Sequence, residues 1–238
     1  MTKSSTSPDF AVRPRRRAAS KRSLATSLSI LDAAESLFAE RGYDGASVRD
    51  IASAAGAQIA SVSFHHGSKE ALFERVVERR AEELSQLRLE ALAALKATGA
   101  SLTLDAVLSA FLRPYLDKAG LDGTDPDGSG AGDPQWLAYA RLVAMVSADI
   151  RWRRISERCF DPTAGIFIAE IARLFPGVAP SRIAVAFVFS VSAMLSLSTS
   201  RWRIEALSAA PGGGPEPERL ADDLVRFCEA GMRAALTG

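Results

Sequence analysis

The chain has 238 residues and carries 29 Lys and Arg against 28 Asp and Glu, a formal net charge of +1. Its 47% hydrophobic and 24% charged residues are ordinary for a soluble globular protein of one or two domains. The overall balance excludes a uniformly basic or uniformly acidic protein. Two cysteines, Cys159 and Cys228, are too few for a disulfide framework or a cysteine zinc site, so we expect a reducing, cytoplasmic location.

Positive charge is concentrated at the start of the chain. Residues 1–23 hold seven Lys and Arg, among them Arg15, Arg16 and Arg17, against Asp9 alone, so the rest of the chain is net acidic. A basic arm on an acidic body is typical of proteins that bind nucleic acid or an anionic membrane surface. A solvated tail and an organelle transit peptide are the alternatives.

The first two predicted helices follow the arm. From Leu28, apolar residues recur at helical spacing until Gly42, which ends the first helix. Ser47, with Asp50 three residues later, predicts the N-cap of a short second helix. Gly56 ends that helix, because glycine readily takes the left-handed conformation that follows a helix.

Two further helices complete the N-terminal part. A short third helix is predicted over residues 58–65, and Ser68 caps a fourth that runs to about Ala97, roughly 43 Å at 1.5 Å per residue. The two short helices meet at a glycine-containing turn, which is the pattern of a helix-turn-helix over about residues 47–66.

The second half contains further helical patterns and no alternating strand pattern. Helices are predicted over residues 102–118, 134–157, 162–174, 180–203 and 216–236, with loop-like stretches at 120–133 and 209–217. The predicted fold class is all-α, with an N-terminal three-helix helix-turn-helix domain and a C-terminal helical domain.

The third helix has side chains that can read DNA. Small apolar residues are available to hold the two short helices together. Gln and Ser can hydrogen-bond base edges in the major groove, and Ile can touch a thymine methyl. The residues left outside are Gln58, Ile59, Ser61, Ser63, Phe64 and His65.

Two stretches of the N-terminal part form a dense, ordered pattern, ILDAAESLFAERGYDGASVRDIASAAG and FHHGSKEALFERVVERR. Through them, residues 24–84 resemble the DNA-binding domain of the TetR family of transcriptional regulators. The sequence departs from the family pattern at two positions. Phe64 stands where the family usually has Tyr, which removes a hydroxyl available to a phosphate. His66 stands where it usually has Phe, which predicts a partly buried polar group that needs a partner.

The resemblance implies a role in DNA binding for each matching position. Phosphate contacts are implied for Ser47 and Lys69, base contacts for the third helix, and sugar-phosphate contacts for Phe64 and His65. The arm would enter a minor groove. Simpler alternatives remain: Ser47 as a helix cap, Lys69 as a solvated lysine, and Phe64 as core. The adjacent His65 and His66 could both be metal ligands, but no third ligand lies nearby in the sequence, so no metal site is predicted. The implied set is Ser47, Gln58, Ile59, Ser61, Ser63, Phe64, His65, Lys69, Arg15, Arg16 and Arg17.

The resemblance also implies that residues 85–238 form a ligand-binding and dimerisation domain. Aromatic side chains suit an organic effector, although such residues are also typical of a plain core. The candidate pocket residues are Phe111, Tyr115, Trp136, Tyr139, Leu142, Met145 and Phe167. Two late helices are candidates for the dimer interface, with monomer core as the alternative. Their candidate residues are Phe187, Val191, Met194, Leu195, Leu224 and Phe227.

One segment is apolar enough to raise the question of a membrane. Residues 183–200 are uncharged and near the lower length limit of a spanning helix. Six Ser and Thr side chains within it favour a helix buried in a protein interface. No membrane is therefore predicted as a partner.

The predicted function is a dimeric DNA-binding transcriptional regulator. It would bind a palindromic site in double-stranded DNA as a repressor that a small organic effector releases. No cofactor is predicted, and no catalytic constellation is visible, so an enzyme is not expected. The alternatives are a helical small-molecule-binding protein or enzyme with a vestigial DNA-binding domain, and a membrane-associated protein that uses the arm.

Overall fold

The computed structural model describes residues 21–121, 133–208 and 217–238, which form eleven α-helices and a 3-10 turn at Ile150–Trp152, without any strand. The all-α prediction is therefore confirmed. Arg15, Arg16 and Arg17 lie outside the described residues. The helices are α1 (Lys21–Gly45), α2 (Val48–Ala54), α3 (Ile59–His66), α4 (Lys69–Ala97), α5 (Leu104–Lys118), α6 (Pro134–Ala148), α7 (Arg153–Cys159), α8 (Asp161–Leu174), α9 (Pro180–Thr199), α10 (Arg201–Leu207) and α11 (Pro217–Thr237).

Two hydrophobic clusters hold these helices together. The N-terminal cluster joins α1 to α4 around Phe38 and Phe73, whose rings meet edge to face at 5.1 Å. Trp152 from the 3-10 turn also enters this cluster, against Tyr43 at 4.7 Å. The C-terminal cluster joins α4, α5, α6, α8, α9 and α11 around Phe111. Burial of these aromatic side chains from water is the main favourable term in folding.

Two helices belong to both clusters. Helix α4 contributes Phe73 to the N-terminal cluster and Leu84 to the C-terminal cluster. Helix α6 contributes Leu142 to the N-terminal cluster and Tyr139 to the C-terminal cluster. Movement of either helix therefore reaches both halves of the protein.

Two long helices predicted from the sequence are divided. The predicted helix 134–157 stops at Ala148, where the Asp149 carboxylate accepts a hydrogen bond from the Arg151 N–H at 2.8 Å and caps the 3-10 turn. The predicted helix 180–203 breaks at Ser200. Short polar side chains that bond local backbone compete with helix continuation, which hydrophobic periodicity alone does not reveal.

Helix α9 is the one helix of the described residues that is long and apolar enough to cross a membrane, with a mean hydropathy of 1.6. It packs against α11, α6 and α8. A core helix of a soluble protein passes the same test, so its composition is weak evidence for a membrane span.

Candidate DNA-binding surface and ligand cavity

The first helix of the helix-turn-helix, α2, has a well-formed N-terminal cap. The Ser47 Oγ accepts a hydrogen bond from the Asp50 N–H at 3.1 Å, and the Asp50 carboxylate accepts one from the Ser47 N–H at 3.3 Å. These two bonds form the capping box predicted for α2. The turn to α3 passes through Gly56, whose φ of +60° is in the left-handed region that favours glycine.

Ser47, a predicted phosphate ligand, is exposed but already engaged. Its hydroxyl donates to the Asp50 carboxylate at 2.6 Å, and this bond is the main cause of the lowered pKa of Asp50. A phosphate would have to compete with that carboxylate for the Ser47 hydroxyl. The geometry of Ser47 therefore supports the capping role. Contact with a phosphate would require the Ser47 hydroxyl to rotate away from Asp50.

Helix α3 fully buries one side chain, that of Val62, and most of its other side chains are at least partly exposed. Gln58 and Ser63 are exposed and Ser61 is partly exposed, and the Gln58 side chain makes no capping bond. Ile59 is 49% exposed and Phe64 is 81% exposed. The structure thus brings the predicted base-contacting residues onto one short, accessible helix.

The two histidines of α3 lie in different settings. His65 is partly exposed, with its ring 5.1 Å from that of Phe64. The His66 Nε2 lies 3.2 Å from both the carbonyl oxygen and the hydroxyl of Ser27 on α1. A carbonyl only accepts, so the Nε2–H donates to it. Ser27 is the partner that the sequence predicted His66 would need.

Lys69 begins α4, directly after α3. Its Nζ lies 4.4 Å from the centroid of the Tyr43 ring, and it is partly exposed. Tyr43, in the last turn of α1, thus orients the lysine through a cation–π contact. Ser68 caps α4 by accepting from the Ala71 N–H at 3.1 Å. A helix N-terminus next to a lysine favours an anion.

A cavity of about 380 Å³ lies between α4, α5, α6, α8 and α9. Three predicted pocket residues, Phe111, Tyr115 and Tyr139, line it. The other four lie elsewhere. Trp136 and Phe167 are buried in the C-terminal cluster, while Leu142 and Met145 pack on the N-terminal cluster.

Arg88 on α4 also lines the cavity, and the sequence analysis missed it. It lies four residues after Leu84 and four before Leu92, both of them buried, so it occupies the apolar stripe of α4. A cation at such a position was the signal that could have identified it. Burial lowers the pKa of Arg88 to about 10.

The predicted interface residues of α9 point into the protomer. Phe187, Val191, Met194 and Leu195 line the 380 Å³ cavity. Leu224 of α11 is buried in the C-terminal cluster, and Phe227 is 68% exposed. The inward residues recur at the i, i+4, i+7, i+8 spacing of one helix face, so the other face of α9 is left for solvent or a partner.

That other face is also apolar. Phe189 is 67% exposed and Val185 is more than half exposed. Between Phe189 on α9 and Phe227 on α11 lies a groove of about 160 Å³, with Gly231 in its wall. We call this the α9–α11 face. No group of three or more His, Cys, Asp or Glu side chains that could hold a metal ion is found among the described residues.

Comparisons with known proteins agree with these features. The family model described as bacterial regulatory proteins, tetR family, matches residues 30–76, and the model described as tetracyclin repressor-like, C-terminal domain, matches residues 109–231. No functionally curated protein matches the chain.

Solved structures share the architecture at low sequence identity. A Mesorhizobium loti protein assigned to the TetR family is 21% identical, with a TM-score of 0.56, over 91% of this chain and 98% of that one. A TetR-family regulator from Bordetella parapertussis is 15% identical, with a TM-score of 0.60, over 89% and 98%. At these identities the likeness concerns the fold.

Proposed function

The chain belongs to the TetR family of bacterial regulatory proteins, and we propose that it is a dimeric repressor that a small organic effector releases from a palindromic operator. It is a DNA-binding transcriptional regulator by family and fold; the repressor mode, the effector and the individual contact residues are the proposal. Its effector site is the 380 Å³ cavity.

The observation that carries the DNA-binding surface is the exposure of α3. A short helix that buries Val62 alone contributes little to the core, yet it carries Ile59 and Phe64 exposed to water. Exposed apolar groups beside polar ones fit a surface that a partner covers. In a major groove, Gln58 and Ser63 would meet base edges, and Lys69 a phosphate.

Release by an effector would act through the two helices that belong to both clusters. Helices α4 and α6 line the cavity with Leu84, Arg88 and Tyr139 and also pack in the N-terminal cluster. An effector that binds more tightly to the arrangement with misplaced recognition helices lowers operator affinity by that difference in binding free energy. No such shift occurs for a compound that binds both arrangements equally.

Selection of bound fragments from genomic DNA with the purified protein would identify the operator. On that operator, Gln58→Ala is expected to weaken binding by about ten-fold, with relaxed preference at one base pair, since a base contact is worth about 1–3 kcal/mol. Lys69→Ala should weaken binding to all DNA sequences. It should also reduce the slope of log affinity against log salt concentration by about one unit.

A matched control is Lys118→Ala, because Lys118 is an exposed lysine on α5 that pairs with Glu83 at 2.8 Å, away from α3. It should bind DNA like the wild type in a gel-shift series at several salt concentrations. If Gln58→Ala and Lys69→Ala also matched the wild type, the assignment of α3 as the recognition surface would be wrong.

A further inference from the structure

We propose that the cavity binds an organic monocarboxylate with an apolar body, whose carboxylate pairs with Arg88. That this ligand is the effector rests on the function proposed above. That the cavity binds it does not rest on that function, because the cavity and Arg88 can be tested without DNA.

Arg88 is a charged side chain with incomplete pairing. Its Nε donates to the Phe111 carbonyl oxygen at 2.8 Å, and its guanidinium carbon lies 3.7 Å from the Phe111 ring centroid. One terminal nitrogen has only a 3.9 Å contact with the Met194 sulfur. Among the described residues, the groups that act on its charge are Tyr139 and Tyr115, and no carboxylate is one of them. A guanidinium has five N–H donors, so most of its donors remain available to a ligand.

The electrostatics of the cavity favour an anion beside Arg88. Burial lowers the pKa of Arg88 to about 10, and the groups that oppose this effect are Tyr139 and Tyr115 rather than an acid. A carboxylate ligand would supply the missing counter-charge beside a guanidinium that is partly shielded from water, where ion pairing is stronger than at an open surface. A cationic ligand would be repelled.

Two phenol groups complete the polar end of the site. Burial raises the pKa of Tyr115 to about 12 and that of Tyr139 still higher, so both stay protonated and able to donate. The Tyr115 hydroxyl is buried without a hydrogen bond of normal geometry, although the Ser198 hydroxyl lies close enough to lower its pKa slightly. Buried donors of this kind are normally satisfied, so a ligand oxygen is the expected acceptor.

The remaining walls select the rest of the molecule. They are mostly apolar, as the side chains of Val143, Phe187 and Leu195 illustrate. Asp161 at the exposed rim would repel a second anionic group, and burial together with Glu157 raises its own pKa. One carboxylate on an apolar alkyl or aryl body therefore fits better than a dicarboxylate or a sugar acid.

The alternative role for Arg88 is purely structural. Pro114 lies inside α5 and lacks an N–H, and Arg88 donates to the Phe111 carbonyl in the same part of that helix. This bond uses one donor only. A ligand-binding role predicts that the protein binds a carboxylate more tightly than a neutral compound with the same apolar part. A purely structural role predicts no such difference.

The experiment uses calorimetric titration of the full-length protein with matched probes: octanoate, 1-octanol and octylamine, and 4-phenylbutanoate with 4-phenyl-1-butanol. We expect at least one carboxylate to bind ten-fold or more tightly than its alcohol, and octylamine to bind least. Arg88→Gln should weaken that carboxylate at least ten-fold and change alcohol binding little. Arg88→Lys should keep part of the preference, because it keeps the charge.

Arg113→Gln is the matched control, since Arg113 is a partly exposed arginine of α5 that pairs with Asp222 outside the cavity. It should leave the carboxylate preference intact. The comparison of probes on the wild type needs no variant, so it decides the question even if Arg88→Gln does not fold. Equal binding of carboxylates and alcohols, or no binding of any probe, would overturn the proposal.

Failure of this proposal differs from failure of the proposed function. A protein that binds its operator but no carboxylate remains a DNA-binding regulator with a different ligand. If the protein prefers a carboxylate through Arg88 but its affinity for the operator does not change when that carboxylate binds, the ligand site is confirmed and the proposed release is wrong. The gel-shift series with and without the carboxylate that binds distinguishes the two.

Discussion

At the scale of single residues, the turn of the helix-turn-helix depends on Gly56. Its φ is +60°, and nothing lies within 4 Å of the position a Cβ would take. Backbone conformation is therefore the whole difference between glycine and alanine here. Gly56→Ala is expected to lower the free energy of unfolding by about 1 kcal/mol, measured by urea denaturation.

Gly165 provides the opposite control. It lies inside α8, is exposed, and a Cβ there would also meet nothing within 4 Å. Gly165→Ala should raise the free energy of unfolding by roughly 0.5–1 kcal/mol, because alanine is the better helix former. Effects of the same sign in the two variants would contradict this account of Gly56.

His66 gives the N-terminal domain a predictable response to pH. Burial lowers its pKa below the ordinary value, with His65 and Arg75 adding to the effect and the Ser27 carbonyl opposing it. The unfolded chain therefore takes up a proton at higher pH than the folded one. Stability is highest when His66 is neutral in both states, and it falls as the pH falls through about 6.5 toward the lowered pKa of the folded state.

His66→Phe, which restores the residue usual in the family pattern, should remove this component. Urea denaturation of both proteins at pH 8 and pH 5.5 measures it, because all other titrating groups cancel in the difference between wild type and variant. We expect the variant to lose less stability on acidification. Equal losses in the two proteins would show that His66 makes no contribution to the pH dependence.

At the scale of helices, an ionic cluster joins α1, α4 and α6. Glu35 of α1 is fully buried and accepts hydrogen bonds from Arg79 and Arg80 of α4, the latter at 2.9 Å. Arg80 also bonds Gln135 at the start of α6. Burial alone would lower the pKa of Arg80. The hydrogen bond and the negative charge of Glu35 more than compensate, so the pKa of Arg80 is raised. Arg80 thus links α4 both to Glu35 of α1 and to Gln135 of α6.

Glu35→Gln should leave two largely buried arginines without their counter-ion. We expect the free energy of unfolding to fall by about 3 kcal/mol, the usual effect of breaking a buried ion pair. The control is Asp32→Asn. Asp32 bonds Arg79 at 2.8 Å but is half exposed, so its loss should lower stability by less than about 1 kcal/mol. A similar loss in both variants, measured in urea, would argue against the special position of Glu35.

The helices themselves were largely predictable, because apolar periodicity, Ser47 and Gly56 are local signals. Helix α4 ends where the sequence predicted, at Ala97. The orientation of α9 was not predictable, since both of its faces are apolar and only the packed helices around it decide that Phe187 turns inward and Phe189 outward. Arg88 was not predicted because a helical arginine is usually solvent-exposed, and only the packing of α5 and α9 against α4 buries it beside the cavity.

At the scale of the whole molecule, the cavity and the N-terminal helices are connected by two shared helices, α4 and α6. Arg88 and Lys69 lie on the same helix, about 29 Å apart at 1.5 Å per residue. Helix α6 carries Tyr139 in the cavity wall and Leu142 in the N-terminal cluster. Ligand-dependent shifts of α4 or α6 would change the separation of two recognition helices, which must be about 34–36 Å to span one turn of DNA.

That spacing requires a second copy of the chain, and the α9–α11 face is where we expect it to bind. Phe189 and Phe227 are exposed on either side of a groove of about 160 Å³, while Gly231 permits close approach. In an interface with two-fold symmetry the same groove on each copy can receive a side chain of the other. Burying these large apolar side chains supplies the favourable free energy of association.

Phe189→Asp is expected to dissociate the dimer, because it would place a charge in the centre of the interface without a partner. Sedimentation velocity should then give the 25.3 kDa mass of one chain instead of twice that value. Operator binding should weaken by more than ten-fold, since each monomer holds one half-site. Ile150→Asp is the control, since Ile150 is 81% exposed in the 3-10 turn beside the N-terminal cluster, away from α9 and α11. It should leave the dimer intact, and a Phe189→Asp protein that stayed dimeric would place the interface elsewhere.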